Sequence, residues 1–196
     1  MRKSILGLGV TMLAILLNAA AFASTAAAGA CAAPPPELGA FQPASGAKSL
    51  PAVPFVDAAG REQPLNGLVG MGLVVNLWAT WCPPCVEEMP ALDRLAGQGK
   101  ALGLRVLALS ADREGAAVVR KFYDVNSIRN LDVALDRPSR VARALAATGL
   151  PTTVLFDAAG REVGRVVGVA KWDAPAVIDF LSHCLAPPPV DAPLRT

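Results

Sequence analysis

Residues 73–90 read LVVNLWATWCPPCVEEMP, and their order decides the architecture. Leu73–Leu77 is a short apolar run broken only by Asn76, the pattern of a strand covered on both faces. Two cysteines follow, Cys82 and Cys85, with Pro83 and Pro84 between them. Val86, Met89, Leu92 and Leu95 then recur at helical spacing. A CxxC pair that closes a buried strand and opens a helix is a redox arrangement. The free N–H groups of a helix start carry partial positive charge, which favours a thiolate on the first cysteine. Cys82 is therefore expected to be an exposed nucleophile, and Cys85, one turn further in, to resolve the mixed disulfide.

Pro83 and Pro84 lack the N–H donors that other residues would offer to the Cys82 sulfur. Fewer donors mean a less stabilised thiolate, and a less stabilised reduced form lowers the reduction potential. The two prolines argue for a reductant. Three other uses of the pair fit less well. Zinc wants further ligands nearby, and Cys31, Cys184 and His183 are all distant in sequence, so no metal is expected. A structural disulfide across so small a loop gains little chain entropy. A cysteine hydrolase needs a base, and the single histidine lies in the terminal helix.

Outward from this stretch, strands are predicted at Val53–Asp57 and Glu62–Leu65 around the turn DAAGR (57–61), whose letters recur at 157–161. Further strands are expected at Leu104–Leu109, Leu131–Leu135, Thr152–Phe156 and Glu162–Val167. Helices are expected at Glu114–Tyr123, Ser139–Ala147 and Asp173–Leu185. This alternation implies an α/β fold, a central mixed sheet flanked by helices. The folded domain is read as residues 50–185, with residues 24–49 a Pro/Ala-rich tether and residues 186–196 a disordered Pro-rich tail. Residues 1–23 carry Arg2 and Lys3, an apolar run and Ala21-Phe22-Ala23, the pattern of a signal peptide. A retained membrane anchor is the other reading, since the run is about long enough to span a bilayer. Either way the folded part is exported. The formal net charge is +2 with no basic run, which argues against nucleic acid as a partner.

The WCPPC motif, Pro90 and the stretch GLPTT at 149–153 resemble the TlpA/ResA family of exported thioredoxin-like thiol:disulfide oxidoreductases, TlpA most of all. The resemblance covers residues 50–185. It implies a thioredoxin-like fold with an N-terminal β-hairpin and a central insert around Glu114–Tyr123, acting as a monomer without a cofactor. It assigns Cys82 and Cys85 as the redox pair, Pro151 as a cis proline facing them, and Glu88 as the active-site acid. From spacing alone, Glu88 shares a helical face with Cys85 and is either a proton relay for it or a solvated surface acid, as Glu87 is read. Asn76 stands where thioredoxin itself carries a buried acid. Trp81, Pro83, Pro84 and Leu150 are read as the partner-facing rim, and Trp78 as packing.

The family's clients are exported disulfide-bearing proteins: apocytochrome c, a copper chaperone or an oxidase subunit, in cytochrome c maturation or oxidase copper-centre assembly. Its electrons come from a membrane donor relaying from cytoplasmic thioredoxin, which places the protein in the periplasm. Thr152 follows Pro151 where the cytochrome-devoted branch carries an acid, which weakens that client reading. A copper-binding assembly factor without redox turnover is the alternative; such relatives carry CxxxC and a histidine, whereas this chain has CxxC. Cys31 and Cys184 either pair, as an even cysteine count in an oxidising space suggests, or remain separate, Cys184 as a small buried hydrophobe.

Overall fold

A computed structural model describes residue 31 and residues 33–185. Eight strands form one sheet. They are β1 (Phe41–Pro43), β2 (Pro54–Asp57), β3 (Glu62–Pro64), β4 (Gly72–Trp78), β5 (Leu104–Ser110), β6 (Ala134–Leu135), β7 (Thr152–Phe156) and β8 (Glu162–Val167), in the spatial order β1-β8-β7-β4-β5-β6-β2-β3. The helices are α1 (Pro83–Gly99), α2 (Ala116–Val125), α3 (Arg140–Ala144) and α4 (Pro175–Leu185). β4 runs parallel to β5 and antiparallel to β7, so the sheet is mixed.

Every residue of β4 is buried, because apolar layers cover both of its faces. Alternation divides its side chains. Val74 and Trp78 enter the core that holds Met89, Leu92 and Leu95 of α1 and Leu181 of α4. Leu73, Val75 and Leu77 enter the opposite core, with Phe156 of β7 and Val141 of α3. Asn76 lies between Val74 and Trp78, so period two turns it toward α1. Each core buries its side chains almost wholly, at roughly 1.5–3 kcal/mol for each large apolar group.

The tether expected over 24–49 is corrected in its described part. Pro36–Leu38 makes a 3₁₀ turn with Leu38 fully buried. β1 pairs antiparallel with β8, Phe41 opposite Val166. Phe41 also meets the Phe180 ring edge-on at 5.6 Å. The physical reason is that β8 would otherwise present an open edge, and an edge strand tolerates Pro43. Composition rich in proline and alanine hides such a strand.

Leu131–Leu135 shortens to Ala134–Leu135 because the Asp93 carboxylate takes the N–H groups of Arg129, Asn130 and Leu131. Ser139–Ala147 shortens to α3, where the chain turns through Ala146 at φ 51°. The expected hairpin is β2 with β3, and the helix expected at 114–123 is α2, entered through Gly115 at φ 84°. The segments read as a signal or anchor and as a tail lie outside the described residues. Among the described residues no helix is long and apolar enough to cross a membrane.

Candidate active site

The site forms where the C-terminal end of β4 runs through Ala79–Trp81 into α1. Asp112, buried just beyond β5, fixes that loop. Its Oδ2 accepts the Thr80 N–H at 3.0 Å and the Ser110 hydroxyl at 2.7 Å, and its Oδ1 accepts the Thr80 hydroxyl at 2.6 Å. Cys82 occupies the N-cap position of α1, with Pro83 and Pro84 as the first helical residues. Proline suits this position because its missing N–H has no partner within the helix. Cys82 and Cys85 are disulfide-bonded, their Cα atoms 5.3 Å apart. Cys82 was expected to be exposed, but it is only 6% exposed and Cys85 is wholly buried. In the bonded state the Cys82 sulfur faces its buried partner, and the surface there is made by Trp81, Pro83 and Pro84. Trp81 is 65% exposed.

Glu88 is not a solvated surface acid. It is buried on the inner side of α1 and both of its oxygens are bonded. Oε1 accepts from Asn76 Nδ2 at 2.8 Å; Oε2 accepts from Trp172 Nε1 at 2.8 Å and the Ala170 N–H at 3.2 Å. Asn76 also donates to Thr153 Oγ1 at 2.9 Å. Burial pushes the Glu88 carboxyl above the usual carboxylate range, and the bonds from Trp172, Asn76 and Ala170 pull against it. Glu87, its neighbour, is exposed. A carboxyl raised in this way holds its proton to higher pH than an ordinary carboxylate and is suited to take up and release one.

Leu150–Pro151 is cis, as is Arg137–Pro138, which nothing in the sequence suggested. Pro151 is buried, and its carbonyl accepts the Gly168 N–H at 2.9 Å. Leu150 is half-buried. Thr152 is buried and donates its hydroxyl to the Gly149 carbonyl at 2.7 Å. Cys31 and Cys184, far from the CxxC pair in sequence, are bonded to each other with Cα atoms 5.5 Å apart. Trp78 is fully buried and stacks on Tyr123 at 5.9 Å. Among the described residues no three His, Cys, Asp or Glu side chains converge to hold a metal ion.

Two contributors escaped the sequence reading. Asp112 follows a strand end as part of Ser110-Ala111-Asp112, a position where α/β sheets gather functional groups, and that placement was its only signal. Trp172 sits before α4 without any pattern that links it to Glu88.

A dithiol–disulfide pair at this strand–helix junction of a mixed sheet defines the thioredoxin-like thiol–disulfide oxidoreductases. Comparison with known proteins makes the class narrower. The AhpC/TSA family model matches residues 47–162. Thiol-disulfide oxidoreductase ResA of Bacillus cereus is 33% identical over 123 residues, 62% of this chain and 69% of that protein. ResA of Halalkalibacterium halodurans is 35% identical over 120 residues, 60% of this chain and 65% of that protein. The crystal structure of a putative thiol:disulfide interchange protein DsbE from Chlorobium tepidum superposes with a TM-score of 0.61 at 24% identity, covering 71% of this chain and 98% of that one. That last likeness bears on the fold alone. The chain belongs to the AhpC/TSA family, among its ResA/TlpA-like thiol-disulfide oxidoreductases.

Proposed function

We propose that the protein is an exported protein-disulfide reductase working through Cys82 and Cys85. The Cys82 thiolate attacks one sulfur of a client disulfide, forming a mixed disulfide and releasing one client thiolate. Cys85 gives its proton to Glu88, and its thiolate attacks the Cys82 sulfur. The Cys82–Cys85 bond forms and the second client thiolate leaves. Two electrons pass to the client, whose two thiolates take up the two protons given up by the enzyme's dithiol. The Pro151 carbonyl is already engaged by Gly168, so the peptide that precedes it, with Leu150, meets the client's extended chain. Trp81, Pro83 and Pro84 form the opposing rim.

The observation that carries the reductive direction is the start of α1, where two prolines directly follow Cys82 and withhold two donors from its sulfur. Resemblance to the ResA/TlpA family supports periplasmic clients: an apocytochrome c, a copper chaperone or an oxidase subunit. It also supports a membrane donor that re-reduces the pair with electrons from cytoplasmic thioredoxin. The expected potential lies nearer about −270 mV than about −120 mV, and a measured value at or above about −180 mV overturns the assignment. Replacing Cys85 with Ser should leave the natural client joined to Cys82, where mass spectrometry identifies it. Cu(I) retained at the pair without any turnover would favour a copper-binding factor instead.

The Cys31–Cys184 bond is proposed as a structural staple of the exported form. It closes a sequence separation of 153 residues, worth up to about 5 kcal/mol in chain entropy. Mass spectrometry of the non-reduced mature protein should find these two cysteines linked; two free thiols beside an oxidised Cys82–Cys85 pair would rule the staple out.

A further inference from the structure

The segment between β8 and α4 is held by five hydrogen bonds, three of them to the site residues Pro151 and Glu88. Gly168 N–H bonds the Pro151 carbonyl, Ala170 N–H bonds Glu88 Oε2, and Lys171 N–H bonds the Glu37 carbonyl at 3.0 Å. Trp172 Nε1 bonds Glu88 Oε2, and Asp173 Oδ2 accepts from Arg94 Nε at 2.7 Å. Trp172 is fully buried, and Glu88 is the partner of its only side-chain polar atom. An indole N–H donates and never accepts, and the same holds for a backbone amide. Oε2 therefore faces two groups that cannot receive a proton from it. Oε1 faces Asn76, whose amide turns into an acceptor by rotating. Its Oδ1 is buried and has no partner among the described residues.

We propose that Trp172 is a positioning residue for the exchange reaction: its indole N–H holds Oε2 of Glu88 as an acceptor, so the carboxyl takes up and releases its proton through Oε1. The proposal rests on the reading of Glu88 as the proton carrier for Cys85. The geometry separates the two oxygens by chemistry, since only the Oε1 side has a neighbour able to serve both protonation states. Other groups act on Glu88 as well. Cys85 shares its helix, and Glu37, Glu87 and Lys171 line a cavity of about 510 Å³ that reaches Glu88. The two carboxylates favour the protonated form and Lys171 the ionised one, while Arg94 and Asp173 neutralise each other. None of these is altered by changing Trp172, so they cancel in a comparison of variants.

The test begins with the unaltered protein in its reduced state. In a proton–nitrogen NMR titration the Trp172 indole resonance should move with the same midpoint as the Glu88 carboxyl carbon, while the exposed Trp81 resonance stays still. An indole resonance that ignores the Glu88 titration overturns the proposal, whether or not any variant folds. Trp172→Phe should then move the carboxyl midpoint upward. It should also slow resolution of the Cys82 mixed disulfide about tenfold at neutral pH, as expected for one lost bond to a charged group. KM for the client disulfide should be unchanged. In a Glu88→Gln background the same substitution should change the rate by less than about twofold. An equal loss in both backgrounds means that Trp172 only packs, which also overturns the proposal. If Glu88→Gln alone leaves the rate and its pH profile untouched, the relay reading falls and takes the kinetic role of Trp172 with it.

Discussion

Asp57 and Glu88 are both carboxylates gripped by several donors, and the donors come from different places. Asp57 Oδ1 accepts the N–H groups of Ala59 and Arg61, and Oδ2 accepts from Arg61 Nε and Gln63 Nε2, all within six residues. The same five letters at 157–161 repeat the arrangement: Ala159 N–H at 3.0 Å, Arg161 N–H at 2.9 Å and Arg161 Nε at 2.7 Å. Gly60 and Gly160 close the two turns at φ 80° and 77°. Glu88 takes its donors from Asn76, Ala170 and Trp172, on two other segments of the chain. The outcomes are opposite in sign. The Arg61 N–H, above all, holds the surface carboxyl of Asp57 down at about 2, whereas burial outweighs three bonds and pushes Glu88 up. A hydrogen bond tunes a carboxylate cheaply where water already solvates it. In the interior the same bond only partly offsets desolvation.

The strongest way to break this contrast is to remove one remote donor. Asn76→Leu replaces the amide with an apolar group of similar shape and leaves Glu88 Oε1 and Thr153 Oγ1 without their partner. The domain should lose about 3 kcal/mol at neutral pH, because a buried charge is left short of a bond. The loss should shrink as the pH falls and Glu88 takes up its proton. Urea unfolding at two pH values reads both effects, and a loss that is the same at both would mean that Asn76 merely packs.

The same contrast explains what the sequence disclosed. Strands β7 and β8 lie on their predicted ranges, and β4 extends its prediction by one residue at each end, because their apolar runs are bounded by local turn chemistry. The CxxC junction and the buried face of α1 were legible for the same reason: spacing within one element fixes which side chains share a face. Glu88 was legible as a candidate but not as a buried one, since its surroundings come from Asn76 and from the segment before α4. β1 was hidden because its identity depends on the free edge of β8. The length of β6 was hidden because Asp93, on a helix, competes for the backbone donors just before it. The Cys31–Cys184 contact joins the two ends of the described chain, and no local pattern announces such a closure.

The twin turns permit a cleaner comparison, with identical letters in different surroundings. An alanine at either glycine costs about 1–2 kcal/mol in the left-handed region. At Gly60 the added Cβ meets open space, so that strain is the whole effect. At Gly160 it would meet Val69 Cγ1 at 3.0 Å and Leu50 Cβ at 3.5 Å. Gly160→Ala should therefore be the more damaging of the two, by about 1 kcal/mol for the contact that has to shift. Equal midpoints in chemical denaturation would show that residues 50 and 69 yield freely.

The smallest effects test the sign of the two carboxylates against pH. Glu88 in the fold holds its proton at higher pH than in the unfolded chain, where the ordinary value is 4.5. Between those limits the folded state binds more protons, so the wild type loses stability as pH rises through that window and then levels off. Glu88→Gln has no such loss. Its amide can face a rotated Asn76, whose free Oδ1 accepts, and the variant should exceed the wild type at neutral pH by about 1 kcal/mol while exchanging thiols more slowly. Asp57 behaves in the opposite way. Its folded carboxyl titrates near 2 against 3.8 unfolded, so its stabilisation is complete above about pH 4 and disappears as pH falls through 2. Asp57→Asn keeps an oxygen for the Ala59 and Arg61 N–H groups but loses the charge and the oxygen that accepts from Arg61 Nε and Gln63 Nε2, although the Arg61 guanidinium is largely exposed. The variant should unfold at a somewhat lower urea midpoint than the wild type at neutral pH, and the gap should close as pH falls from about 4 toward 2. An acid slope equal to the wild type's would place the source of acid sensitivity in other carboxylates.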